Sequence, residues 1–173
     1  MQPLVTERLI LSEFTLTDAP FILALLNDAD FIRFIGDKGV RSIPDAENYL
    51  STGPLLSYQT NGFGLWKVTT KDNSQEPIGM CGLIRREALP CLDVGYAFIP
   101  LARKMGYASE AALACKKVCF SELNHKQLAG IVNSDNPGSI KVLTNLGMQF
   151  IRTTRMPGAD HDVDLYMVEK GDH

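Results

Sequence analysis

Residues 92–111 read LDVGYAFIPLARKMGYASEA, and no other stretch constrains the fold as much. A strand-like run ends at Pro100, a short loop carries Arg103 and Lys104, and a long run of small residues opens at Gly106. Strand, loop and helix are thereby set in that order. The helix has a seam of Ala108, Ala111, Ala112, Cys115 and Cys119, with Glu110 early and Lys116 and Lys117 late, as the helix dipole favours. The first turn of a helix presents unpaired N–H groups and roughly half a positive charge, a geometry that binds phosphate. Gly106 lets a ligand approach the backbone closely, Ala108 is the next smallest residue, and Arg103 and Lys104 add charge at the lip. A plain β–α turn with a solvated basic pair fits the same letters. The phosphate loop GxxxxGK[ST] and the dinucleotide fingerprint GxGxxG are both absent from the sequence.

The flanking segments give the rest of the order. Leu4 to Phe14 reads as a strand, with Leu9 and Leu11 alternating with Arg8, Ile10 and Ser12. Thr17-Asp18 offers capping oxygens, Pro20 sits in a first turn, and Phe21, Ile22, Leu25 and Leu26 follow at helical spacing. A short helix spans Asp30 to Ile35 and stops at Gly36. Another runs from Pro44-Asp45 past Tyr49-Leu50, and Gly53-Pro54 should break it. Segments 63–70 and 77–85 flank the turn-rich 71–76 as a hairpin, and 91–99 closes a meander. Residues 127–132 form a short strand. Asn136 caps the next helix, Pro137 takes its first position, Gly147 supplies the left-handed stop, and Ile140, Leu143 and Leu146 form its stripe. Strands at 148–154 and 162–168 end the chain. Helices, then a meander, then β-α-β-α-β describe an α/β domain with a mixed sheet. A length of 173 residues suits a single domain over 1–173.

Charge and composition remove several function classes. Lys plus Arg total 17 against 20 Asp plus Glu. Arg85-Arg86 and Lys116-Lys117 are isolated pairs, so no basic field attracts nucleic acid. Glu7 and Arg8 interrupt the first apolar residues, so no signal-peptide core is read, and no apolar run reaches the ~20 residues of a membrane span. A soluble cytoplasmic protein is expected. Cys81, Cys91, Cys115 and Cys119 form no CxxC pair, and His125, His161 and His173 lie far apart in the chain. These spacings do not read as a metal site; free buried thiols are expected.

Arg103-x-x-Gly106-x-Ala108 resembles the Q/R-x-x-G-x-G/A signature of the GNAT superfamily of acyl-CoA-dependent N-acetyltransferases. Its context strengthens the likeness. DVGYAFIP is similar to the family's E-x-G-Y-x-x-x-P strand, and GYASEA to its G-Y-A-T-E-A helix start. Asn136-x-x-Ser139-x-x-Val142-Leu143-x-x-Leu146-Gly147 matches N-x-x-S-x-x-V-L-x-x-L-G, and Thr6-Glu7-Arg8-Leu9 matches T-E-R-L. The set is similar to the ribosomal-protein N-acetyltransferase branch, from Thr6 to Glu169. The resemblance implies a mixed, mostly antiparallel sheet flanked by helices and splayed between two parallel strands, 91–99 and 126–132. Acyl-CoA would enter that V. Its pantetheine arm would pair with backbone groups around Phe98 and Ile99. Its pyrophosphate would rest on the N–H groups of Lys104, Met105, Gly106, Tyr107, Ala108 and Ser109, with Arg103 at the lip. Asn136, Ser139 and Lys141 would lie along the other wall. The sequence departs from many relatives at Lys104, where they carry glycine, at Met105, where they carry lysine, and at Asp93, where they carry glutamate.

The resemblance implies acetyl-CoA as co-substrate, without a metal, and a primary amine as acceptor. The favoured acceptor is a peptide or protein N-terminus; a small amine such as a polyamine, an antibiotic or an amino acid derivative is the alternative, and a non-catalytic acyl-CoA-binding module is a third reading. The protein would act as a monomer or homodimer. A neutral amine attacks the thioester directly. Asp93 would act as base, as water relay or as orienter of the amine, and Ser139 would serve the leaving thiolate. Tyr96 and Tyr107 are other possible donors, although packing is favoured for both. No basic partner is placed to activate Cys115 or Cys119, so a cysteinyl intermediate is rejected. Trp66 either lines the amine pocket or fills the core, and core is favoured. Asp28, Asp30, Asp37, Asp45 and Glu47 are read as a solvated face on the acceptor side, opposite a CoA groove made positive by Arg103, Lys104 and Lys141.

Overall fold

The computed structural model describes residues 1–73 and 75–171; Ser74, in the expected hairpin turn, and Asp172 and His173 lie outside the described residues. Alternating apolar residues build eight strands: β1 (Leu4–Val5), β2 (Leu9–Ser12), β3 (Leu65–Thr70), β4 (Pro77–Ile84), β5 (Leu92–Phe98), β6 (Gln127–Val132), β7 (Gln149–Thr154) and β8 (Val163–Glu169). They form one sheet in the order β1-β2-β3-β4-β5-β6-β8-β7. Every neighbouring pair is antiparallel except β5–β6, which is parallel. The helices are α1 (Ala19–Leu26), α2 (Ala29–Phe34), α3 (Ile43–Leu50), α4 (Leu56–Asn61), α5 (Tyr107–Lys117) and α6 (Pro137–Asn145).

The period of two in the strands divides their side chains between the two faces of the sheet. On one face Trp66, Val68, Cys81, Leu83, Leu92 and Val94 pack with Ala111, Ala112 and Cys115 of α5 and Leu143 of α6. On the other, Met80 packs with Ile22, Leu25 and Leu26 of α1, Phe31 of α2 and Leu50 of α3. Trp66 is fully buried, as expected of a core residue. Cys81, Cys115 and Cys119 are buried free thiols, with the Cys81 and Cys115 sulfurs 3.6 Å apart; Cys91 is only half-buried. Burial pushes the Cys91 thiol up to about 11 and the Cys119 thiol up to about 12.

Three boundaries differ from expectation. The strand expected over 4–14 is two strands, because the Thr6 hydroxyl accepts the Leu9 amide at 3.0 Å and folds the chain back at Glu7-Arg8. Gly53-Pro54 does not end the helical path from Ile43. Residues Ser51–Leu55 widen into a π-helical turn, and the path ends only after Asn61, where Gly62 takes φ +77°. A wider turn accommodates a proline that lacks the N–H and crowds the carbonyl four residues back. The helix expected over 106–123 is α from Tyr107 to Lys117 and π-helical from Val118 to Glu122.

The site is positioned by a failure of pairing. Strands β5 and β6 pair only at Leu92↔Leu128 and Asp93↔Ala129, although β5 continues to Phe98 and β6 to Val132. Each strand then follows its other neighbour: Phe98 pairs with Gly79 on β4, and Val132 with Asp164 on β8. Two glycines permit the divergence. A Cβ on Gly79 would stand 2.5 Å from the Phe98 ring, and one on Gly130 would stand 2.5 Å from Leu143 Cδ2. Phe98 therefore settles onto β4 and α6 onto β6, leaving a V between the strands.

Candidate active site

Asp93 lies at the vertex of the V, on the last residue of β5 that pairs with β6. Its side chain is 1% exposed, and Oδ2 accepts from Arg86 Nε at 2.7 Å. Among the described residues, no group makes a well-formed hydrogen bond to the buried Oδ1. Burial pushes the Asp93 carboxyl up to about 6, and the nearby Arg86 guanidinium offsets only part of that rise. Arg86 is 37% exposed, so the pair has one sealed end and one wet end.

Three residues along β5, Tyr96 reaches across the gap. Its Oη stands 2.7 Å from Ser139 Oγ and donates to the Ser139 carbonyl at 3.1 Å. Ser139 sits in the first turn of α6, but its hydroxyl does not cap that helix. Asn136 does so, accepting the Ser139 N–H at 3.2 Å, which leaves the Ser139 hydroxyl for Tyr96. Burial raises the Tyr96 phenol above its ordinary value, so it stays protonated and either hydroxyl can donate. Tyr96, read from the sequence as a possible donor with packing favoured, both packs against the core and meets Ser139 across the gap.

The loop after β5 closes the top. Pro100–Ala102 form a 3-10 turn, Lys104 takes φ +61° and Gly106 takes φ +82° at the N-cap of α5. Lys104 occupies the left-handed region with a Cβ, where glycine would be unstrained. Alternating conformations of this kind turn successive N–H groups into a concave anion seat. Met105 and Lys104 are exposed, Tyr107, Ala108 and Ser109 are half-buried, and Ser109 Oγ accepts from Asn145 Nδ2 of α6 at 3.2 Å. Lys141 is exposed on α6.

Two expectations about this loop change. The Ile99 N–H donates to Ile78 O and its carbonyl accepts from Ala102 N, each at 3.0 Å, so both Ile99 backbone groups are already engaged within the chain. By strand alternation the backbone of Tyr96 and Phe98 faces the gap instead. The Phe98 carbonyl there accepts from Arg103 Nε at 3.1 Å. Arg103 is also not a free cation: Nη1 donates to Asp30 at 2.8 Å and Nη2 to Asp28. Asp28 and Asp30 are therefore not a solvated acidic face; they tie the start of α2 to the loop. Asp37 is paired with Arg41, and Asp45 accepts the Arg41 N–H.

Arg8 went unassigned in the sequence beyond its place in the TERL motif. Its Nε and N–H both donate to Glu110 of α5, and its Nη1 donates to Met105 O at 2.8 Å.

The family model for the acetyltransferase (GNAT) domain matches residues 8–149. The uncharacterised N-acetyltransferase YoaA of Bacillus subtilis is 27% identical, the match covering 96% of each chain. An acetyltransferase from Agrobacterium tumefaciens superposes with a TM-score of 0.82 at 22% identity, covering 98% of this chain and 95% of the other. The ribosomal-protein-S5-alanine acetyltransferase of Vibrio fischeri gives a TM-score of 0.80 at 18% identity, covering 99% and 98%.

Proposed function

Because the chain belongs to the GNAT family of acetyltransferases, enzymes that take the acetyl group from acetyl-CoA, we propose that it acetylates the N-terminal amine of a peptide or protein. The observation that carries this reading is the β5–β6 gap, which stops pairing after Asp93 and is bordered by Tyr96, Ser139 and the left-handed turns at Lys104 and Gly106.

The residues present fit CoA. The N–H groups of 104–109 and the N-terminus of α5 would hold the pyrophosphate, with Lys104 and Lys141 as exposed cations. Backbone groups of Tyr96 and Phe98 border the gap where the pantetheine arm would lie. The co-substrate supplies an activated acyl group as a thioester.

This chain's own residues do the rest. The neutral amine forms the new N–C bond as the C–S bond breaks, and no covalent acyl-enzyme is needed. The leaving sulfur takes a proton from the Tyr96–Ser139 pair, whose two hydroxyls stand in contact. Asp93 accepts the amine's proton through a relay, since its carboxylate is sealed behind Arg86. A buried base of this kind suits an amine whose proton is lost at little cost. At pH 7.4 deprotonating a peptide α-amine costs under about 1 kcal/mol, against about 4 kcal/mol for a lysine side chain.

The test is release of free CoA thiol from acetyl-CoA with a panel of N-terminal peptides, polyamines and amino acid derivatives. Turnover of peptides with free α-amines, abolished by blocking that amine, is the expected result. Turnover confined to small amines overturns the peptide acceptor. Binding of CoA with no turnover on any amine would replace the enzyme by an acyl-CoA-binding module.

A further inference from the structure

We propose that Arg8 is a positioning residue for acyl-CoA, acting by holding the loop from Arg103 to Tyr107 in its phosphate-receiving shape. The inference rests on reading that loop as the phosphate seat.

Lys104 has a Cβ and sits at φ +61°, a conformation that L-residues adopt at a penalty unless the surroundings hold them there. Arg8 provides that hold from the turn between β1 and β2. Its Nη1 donates to the Met105 carbonyl at 2.8 Å. In a trans peptide the C=O and the following N–H point in opposite directions. Holding the Met105 carbonyl on the Arg8 side therefore aims the Gly106 N–H away from the guanidinium cation. Without Arg8 the 105–106 peptide is free to flip, which would exchange a donor for a carbonyl in the row of N–H groups.

Arg8 is itself fixed from several directions. Its Nε donates to Glu110 Oε2 at 2.7 Å, its backbone N–H donates to Glu110 Oε1 at 2.8 Å, and its guanidinium lies 4.6 Å over the Tyr107 ring. Thr6 Oγ1 donates to the same Glu110 oxygen at 2.6 Å. Burial of Glu110 works against its charge, but the hydrogen bonds from Thr6 and Arg8 prevail and hold its carboxyl below the usual range. A Cβ on Gly106 would stand 3.2 Å from Arg8 Nη2, so the guanidinium is packed directly against the loop. A planar guanidinium serves several acceptors at fixed angles, which a lysine ammonium cannot reproduce. The side chain is 43% exposed, so its removal opens no cavity in either core.

The experiment uses the full chain, with CoA titrated calorimetrically and amide hydrogen exchange read without ligand. Arg8→Met and Arg8→Lys are expected to weaken CoA binding about ten-fold, the size of a left-handed backbone penalty, with only a small fall in melting temperature from the lost Glu110 pair. Exchange at 104–107 should rise in the ligand-free variants, while β3 stays protected. In a Lys104→Gly background, where no Cβ opposes the turn, the loss on removing Arg8 should shrink to about three-fold or less. Binding by Arg8→Met within about two-fold of wild type, or an equal loss in both backgrounds, overturns the proposal. If wild type binds no CoA, the reading of the loop falls and the ligand role of Arg8 with it. Unchanged exchange at 104–107 refutes the hold on the loop whether or not CoA binds.

Discussion

At the scale of single residues, Asp93 ties chemistry to stability. Its carboxyl is pushed from 3.8 up to about 6 by burial. Between those values the folded chain keeps a proton that the unfolded chain has released. The stabilisation from that proton is complete below pH 4 and is lost as pH rises through about 6. Asp93→Asn should remove this decline, so its stability relative to wild type should improve from pH 4 to pH 7 by up to about 3 kcal/mol in urea titrations. Across the gap, Tyr96→Phe and Ser139→Ala should each lower kcat only about three-fold, but together about a hundred-fold, because either hydroxyl can stand in for the other; steady-state thiol release checks this. The carboxylate and the serine were legible as residue types at motif positions. The burial of Asp93 was not, because Arg86 reaches it across the β4–β5 hairpin. Nor was the Tyr96–Ser139 contact, because the two are 43 positions apart in the chain and meet only when α6 packs beside the splayed strand.

At the scale of elements, the link between α2 and the loop after β5 has the clearest consequence. Asp28 caps α2 by accepting the Phe31 N–H at 3.1 Å and also holds Arg103. Asparagine caps as well as aspartate, so Asp28→Asn with Asp30→Asn keeps the helix and releases the cation. The freed Arg103 should tighten CoA binding about three- to five-fold and make it more salt-sensitive, as titrations at two ionic strengths would show. The sheet offers a second test. A Cβ on Gly82 would stand 2.0 Å from Gly64 O and 2.6 Å from Leu65 Cα, both backbone atoms that cannot step aside. Gly82→Ala should cost about 3 kcal/mol of unfolding free energy, measured by urea titration. Strong periodicity made most elements legible: the meander and α6 fall within a residue or two of expectation. The turn at Glu7-Arg8 and the π-helical stretch at Ser51–Leu55 were hidden, since one depends on a threonine hydroxyl and the other on a widened path around Pro54.

At the scale of the whole molecule, charge did not divide as the sequence suggested. The chain has 17 basic and 20 acidic side chains. Arg103 is paired with Asp28 and Asp30, so on the proposed reading Lys104, Lys141 and the N-terminus of α5 remain to attract phosphate. Acetyl-CoA at 100 times its Kd should still stabilise the chain by about 2.7 kcal/mol, a rise in melting temperature of about 5–10 °C by scanning fluorimetry. The layered α/β plan followed from element order, since helices and strands in this sequence must cover both faces of a sheet. The length of the shared β5–β6 ladder did not, since it depends on how far Phe98 and Leu143 lean onto their own sides. That short ladder makes the sheet mechanically two plates, β1–β5 and β6–β8, joined along a hinge line two residues long. Heat or force should part the plates there first. A molecule lodged between them would take the place of the missing rungs, so the line expected to part first in the empty protein would become the line along which a bound substrate holds it shut.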